Sequence, residues 1–127
     1  MEIKYILPII MFSLVSCASS AMDSSQFKDL YVDDFHSDDA AACKTSDVEL
    51  NHAQAREFFK KAKEVTYTVI HDHYELAPCY IEGPVKYKGK QCAWKIRPGS
   101  TGSITCGKQT QYFVCDECSY LFAQPNK

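Results

Sequence analysis

The chain has 127 residues, of which 46% are hydrophobic and 24% are charged, with five glycines and five prolines. This balance is typical of one globular domain and excludes a collagen-like or low-complexity chain. The formal net charge of −2 excludes a chain-wide basic surface, so we expect no nucleic-acid partner. Seven cysteines are many for a chain of this length, which makes the redox compartment the first question.

The first residues have the pattern of an export signal. Lys4 precedes an apolar run of 11 residues, 5–15, which is followed by Ser16 and Cys17. Such a run is too short to span a bilayer as a helix, but it matches the central region of a signal peptide. One possibility is ordinary secretion with cleavage after Ala21, which follows two other small residues.

Leu14-Val15-Ser16-Cys17 resembles the lipobox of bacterial lipoproteins, in which small residues precede a cysteine that becomes diacylated. The resemblance covers residues 1–17 alone and implies a signal peptide over residues 1–16. It also implies a covalent lipid on Cys17 that attaches the chain to a membrane. Apart from this lipid, we expect no cofactor. Because Ala18 follows the cysteine, the pattern resembles that of lipoproteins sent to the outer membrane, where the protein would face the periplasm.

Both signal alternatives place the remaining six cysteines in an oxidising compartment. They are Cys43, Cys79, Cys92, Cys106, Cys115 and Cys118. We therefore expect up to three disulfides, each contributing about 2–4 kcal/mol to stability. The sequence leaves all fifteen complete pairings open.

The charge of the chain is divided into an acidic and a basic part. Residues 18–50 contain eight acids and two lysines, whereas eleven Lys or Arg oppose seven acids from residue 51 onward. We predict that residues 17–50 form a lipidated acidic arm, a tether for a domain over residues 51–127. The alternative is that the arm folds back on the basic half and is held there by Cys43.

Residues 51–65 have the pattern of an amphipathic helix. Asn51 is a good N-cap, and Gln54 completes a capping box. Apolar side chains recur at three- and four-residue spacing, at Ala55, Phe58, Phe59, Ala62 and Val65. The β-branched residues of 66–70 are compatible with either a longer helix or a strand.

From Tyr80 onward, the pattern alternates with period two and indicates an antiparallel meander. A tight turn at Lys88-Gly89 would place Tyr87 opposite Lys90 and bring the apolar residues of both strands to one face. We predict an α+β domain in which one amphipathic helix packs on a four-stranded antiparallel meander sheet braced by disulfides.

Two short motifs are candidates for chemistry. Cys115 and Cys118 form a CxxC, for which we expect structural disulfides to other cysteines, because two acids between the cysteines disfavour a thiolate. In an extended segment, His71 and His73 would point the same way and could ligate zinc or copper. A metal-binding protein or metalloenzyme based on this pair is our alternative hypothesis for function.

The other face of the predicted hairpin is basic and carries Lys86, Lys88, Lys95 and Arg97. Such a face can bind an acidic protein surface, lipid headgroups or anionic glycans. We predict a non-enzymatic envelope lipoprotein that binds a protein partner. In size, signal and cysteine use, the chain is similar to small periplasmic inhibitor and immunity lipoproteins, which act against toxins or hydrolases. A structural spacer that depends on the acidic arm is a further alternative.

Overall fold

The computed structural model of the protein describes residues 26–122, which form two helices and a seven-stranded antiparallel sheet. In chain order, the elements are β1 (Phe27–Lys28), β2 (Asp34–Ser37), α1 (His52–Lys61), β3 (Lys63–Val65), α2 (Tyr67–His73), β4 (Cys79–Tyr87), β5 (Lys90–Arg97), β6 (Thr101–Cys106) and β7 (Gln109–Val114). The predicted mixed fold of a helix on a disulfide-braced antiparallel sheet is confirmed. The predicted numbers of one helix and four strands, however, are too low, because the described residues form two α-helices and seven strands.

The strand order is β1-β4-β5-β6-β7-β3, and β2 also pairs with β4. The predicted meander is therefore the centre of the sheet, and β1, β2 and β3 extend it at both edges. These three strands have only two to four residues each. The prediction missed them because short, charged edge strands carry little periodic signal.

Helix α1 covers one face of the sheet, and we call this the inner face. The capping box is confirmed, since the Asn51 side chain accepts from the Gln54 amide and the Gln54 side chain accepts from the Asn51 amide. Phe58 and Phe59 are fully buried, and the Phe59 ring lies 6.0 Å from the Trp94 ring. The predicted packing of the amphipathic helix on the sheet is thereby confirmed.

The β4–β5 hairpin has the predicted register. Tyr87 is opposite Lys90, Val85 opposite Cys92 and Ile81 opposite Ile96. Lys88 and Gly89 occupy the turn with φ values of 50° and 80°, as a two-residue hairpin of the right twist requires.

The acidic arm supplies strands β1 and β2 of the same sheet. The backbone of the arm also contacts that of β4 between these strands. The Tyr31 amide donates to Pro84 O at 3.2 Å, and the Asp33 amide donates to Glu82 O at 2.9 Å. Leu30 is fully buried in the core. Residues 26–50 are therefore continuous in structure with the domain that the sequence predicted to begin at residue 51.

The predicted signal peptide over residues 1–16 and the lipidation site Cys17 lie outside the described residues. Within residues 26–122, no helix is long and apolar enough to cross a membrane.

Three disulfides connect the six cysteines that were predicted to pair. They are Cys43–Cys79, Cys92–Cys106 and Cys115–Cys118. The first attaches the arm to the start of β4, and the second joins β5 to β6. The expectation that the CxxC cysteines bond to other cysteines is wrong. They bond to each other because a turn, in which the Cys118 amide donates to Cys115 O at 3.2 Å, brings them together.

We expect the Cys43–Cys79 disulfide to contribute more stability than Cys115–Cys118. Their sequence separations are 36 and 3 residues, and a longer closed loop restricts the unfolded chain more. Replacing Cys43 and Cys79 with alanine should lower the free energy of unfolding by about 2–4 kcal/mol in urea titrations. An equal or larger loss after the same change at Cys115 and Cys118 would contradict this expectation.

Candidate functional site

The face of the sheet opposite α1 is basic and rich in hydroxyl groups, and we call it the outer face. Strand register places on it, from β4 to β7, the side chains of Tyr80, Glu82, Pro84, Lys86, Gln91, Ala93, Lys95, Arg97, Thr101, Ser103, Thr105, Thr110, Tyr112 and Val114. The alternation that buries Trp94 and Ile96 on the inner face turns Lys95 and Arg97 outward.

Tyr80 lies at the centre of the basic group on the outer face. The Lys95 ammonium is 4.5 Å and the Arg97 guanidinium 4.7 Å from the centroid of its ring. Both distances lie within the range of cation–π attraction. Arg97 also donates from Nη1 to Ala77 O at 2.7 Å, which fixes the direction of its guanidinium.

Lys95 and Arg97 have no carboxylate partner in the described part of the chain. Among residues 26–122, Lys61 pairs with Glu57 and Lys63 with Asp116, and His36 and His71 lie beside Asp38 and Asp72. Glu82 is the cross-strand neighbour of Lys95 but does not pair with it within 4.0 Å. The two cations are thus available to an external anion.

The other two predicted binding residues, Lys86 and Lys88, lie apart from this pair. Lys86 is exposed on β4 opposite Gln91, towards the hairpin end. Lys88 is in the turn, with its ammonium 5.1 Å from the Tyr87 ring. The structure therefore brings only Lys95 and Arg97 of the four basic residues together around Tyr80.

A pocket of about 290 Å³ lies between α2 and the outer face, and we call it the α2 pocket. It is lined by Tyr67, Ile70, Leu76, Lys95, Arg97, Thr101, Gly102, Ser103, Thr105, Thr110 and Tyr112. Helix α2 forms one wall, with Ile70 buried and the Tyr67 ring 5.3 Å from the Tyr112 ring. The pocket combines cations, hydroxyl groups and an apolar wall.

Thr101 is the one lining residue with a buried hydroxyl that lacks a hydrogen-bond partner among residues 26–122. A buried polar group without a partner carries a desolvation cost of about 1–3 kcal/mol. At the wall of a pocket, a water or a bound molecule could supply the partner that this hydroxyl lacks.

Comparison with protein-family models, curated proteins and solved structures found no significant match.

The end of α2 is attached to the turn that follows β7. The Tyr74 hydroxyl donates to Asp116 Oδ1 at 2.6 Å, and the Lys63 ammonium lies 3.7 Å from Asp116 Oδ2. The hydrogen bond to Asp116 raises the pKa of Tyr74 above its usual value of 10.0, and burial and the negative charge of Asp116 raise it further. These contacts fix the end of α2, the helix that forms one wall of the α2 pocket, to the turn after β7.

The stability that this hydrogen bond contributes should be present below pH 10 and lost as the pH rises through the raised pKa of Tyr74. The difference in ultraviolet absorbance between the wild type and Tyr74→Phe should show a phenol that titrates above pH 10. In the Asp116→Asn background, this phenol should titrate closer to 10. Titration at or below 10 with Asp116 intact would contradict the attachment.

The two predicted metal ligands, His71 and His73, lie on a helix instead of an extended segment. Residues two apart on a helix do not face each other, so the geometry on which the metal prediction rests is wrong. His71 is 3.1 Å from Asp72 Oδ1, and both histidines are exposed. Residues 26–122 contain no group of three or more potential metal ligands. Metal binding by these histidines stays a prediction.

Sequence reasoning identified Lys95 and Arg97 but missed the pocket beside them. The hydroxyls of Thr101, Ser103 and Thr105 alternate with Gly102 and Ile104, a visible signal of a polar strand face. The α2 wall gave no comparable signal, because residues 66–70 fit helix and strand equally well.

Proposed function

We propose that this protein is a non-enzymatic lipoprotein of the bacterial envelope that binds an acidic protein partner through its outer face. Its size, export signal and cysteine use are similar to those of small periplasmic inhibitor and immunity lipoproteins. The proposed partner is accordingly a toxin or hydrolase that acts in the periplasm.

The observation that carries this proposal is the arrangement of Lys95 and Arg97 around Tyr80 without a carboxylate within 4.0 Å in the described chain. An acidic partner surface would supply the opposite charge and would be guided to this face by long-range attraction. Arginine and tyrosine are also the residues that most often dominate the energy of protein interfaces.

Exposed apolar groups beside the cations support a protein as the partner. Tyr67 is 50% exposed and Leu76 is 44% exposed, and both line the mouth of the α2 pocket. Protein interfaces typically combine such apolar and aromatic contacts with a polar rim. A partner that covered them would add apolar burial to the ionic attraction.

Reversing the charge of the central pair tests the proposal. The partner is first cross-linked to the native protein in intact envelopes, purified and used in binding titrations. The double variant Lys95→Glu and Arg97→Glu should bind it at least about tenfold more weakly, because like charges would then face each other. The loss should shrink at high salt, which screens the charges of the native complex.

The matched control makes the same change of charge on the exposed side of α1, with Arg56→Glu and Lys60→Glu. It should bind as the wild type does, because α1 covers the opposite face of the sheet. Reversal of Lys86 and Lys88 should weaken binding less than reversal of the central pair. Equal affinity of the central variant and the wild type would refute the proposed role of the outer face.

The membrane anchor has its own test, an intact mass of the protein extracted from envelopes, with free thiols alkylated. We expect a chain that begins at a diacylated Cys17 and carries no alkylated cysteine. A chain that begins at Met22 without lipid would instead establish ordinary secretion after Ala21.

A further inference from the structure

The α2 pocket has a charged wall and an apolar wall. Lys95 and Arg97 belong to the sheet side, whereas Ile70 and Leu76 belong to the segment of α2 and the loop after it. The volume of about 290 Å³ lies just below the range of about 300–1,000 Å³ for small-ligand pockets. The pocket therefore suits one small group with a charged end and an apolar stem.

The polar groups of the described lining are cations, hydroxyls and the phenols of Tyr67 and Tyr112, and no carboxylate is among them. Thr105 and Thr110 share a hydrogen bond of 2.9 Å across β6 and β7, and Ser103 lies between them and Arg97 on the same face. Cations and hydroxyl donors in one small pocket select an oxygen anion over a cation or a neutral apolar group.

We propose that the α2 pocket binds a single acidic side chain of the protein partner, with its carboxylate at Lys95 and Arg97 and its methylene stem against Ile70 and Leu76. This inference rests on the proposed function and names the group that the outer face recognises. Lysine supplies a point charge and arginine a planar set of donors, a combination that suits a carboxylate. The exposed Tyr67 would contact the partner around the bound side chain.

A pair of small model compounds tests this pocket without the partner. N-acetyl-glutamate N-methylamide carries one carboxylate at the end of a side chain, and N-acetyl-glutamine N-methylamide is its neutral match. In nitrogen–proton correlation spectra, the glutamate compound should produce saturable shifts with a dissociation constant on the order of millimolar. The shifted amides should belong to α2, β5 and β6, and the glutamine compound should bind at least about tenfold more weakly.

Four variants complete the test. Lys95→Met and Arg97→Met should each reduce the affinity for the glutamate compound at least about threefold and together abolish saturation. Lys86→Met, on the same face but outside the pocket lining, should leave it unchanged. Unfolding temperatures of all four variants establish that a loss of binding is not a loss of fold.

Several results would overturn the proposal. They are equal binding of the glutamate and glutamine compounds, shifts outside the pocket, or tighter binding of inorganic phosphate than of the glutamate compound. A pocket that fails these tests while charge reversal at Lys95 and Arg97 still weakens the partner complex would leave the proposed function intact. If charge reversal also has no effect on the complex, both proposals fail.

Discussion

Replacing Gly83 with alanine is expected to lower the free energy of unfolding by about 3–5 kcal/mol. A Cβ at this position would overlap the carbonyl oxygen of Tyr31, which is backbone and cannot rotate away. The arm would have to leave β4, and the hydrogen bond from Trp94 Nε1 to Tyr31 O, 3.1 Å long, would be lost with the neighbouring backbone pairs.

Urea titration monitored by Trp94 fluorescence measures this loss. The control is Glu82→Ala, the adjacent position of β4 on the outer face, which should change stability by no more than about 0.5 kcal/mol. If Gly83→Ala were as stable as this control, the arm would not pack closely against β4 in solution. The acidic arm would then be free of the sheet, as the tether prediction has it.

Replacing Phe59 with alanine should cost about 3–5 kcal/mol of stability, because its ring is fully buried among four other aromatic rings. The ring centroids of Phe58, Phe113 and Trp94 lie 5.2, 5.8 and 6.0 Å away, and that of Phe27 lies 6.5 Å away. The substitution would leave a cavity, and the arm, the helix and the sheet would all lose their van der Waals contacts with the Phe59 ring.

The control for this variant is Lys60→Ala, the next residue of α1, whose side chain is exposed. It should leave the unfolding midpoint unchanged within about 0.5 kcal/mol. A loss of less than about 1 kcal/mol for Phe59→Ala would show that α1 does not pack on the inner face in solution.

The central part of the fold was predictable because local signals agreed with one another. The two strands around Lys88 and Gly89 match only one register that buries Ile81, Val85, Trp94 and Ile96 on one side. The capping box at Asn51 marks the start of α1 independently of its apolar stripe. Agreement between turn, cap and pattern is what makes such predictions reliable.

The edges of the sheet were not predictable in the same way. The acidic composition of the arm resembles that of a solvated segment, yet Leu30 and Phe27 are buried in the core. Its strands form through backbone pairing with β4, which depends on a partner distant in sequence rather than on local pattern. Similarly, β3 follows α1 directly, without a glycine or proline to mark the change.

The basic residues of the candidate site were predictable from the sequence, but the pocket that α2 forms beside them was not. Alternation along β5 places Lys95 and Arg97 on the outer face, as predicted. The wall that turns this face into a pocket is α2, which is fixed by the contact between Tyr74 and Asp116. These residues are 42 positions apart, so no local pattern links them.

Hydrogen exchange of the protein, alone and bound to the cross-linked and purified partner, tests the central claim most directly. We predict slower exchange of backbone amides in α2, β5 and β6 on binding, with the strongest protection around Lys95 and Arg97. Exchange in α1 should not change, because this helix covers the opposite face of the sheet. Protection confined to α1, or to β1 and β2, would contradict the proposal that the outer face binds the partner.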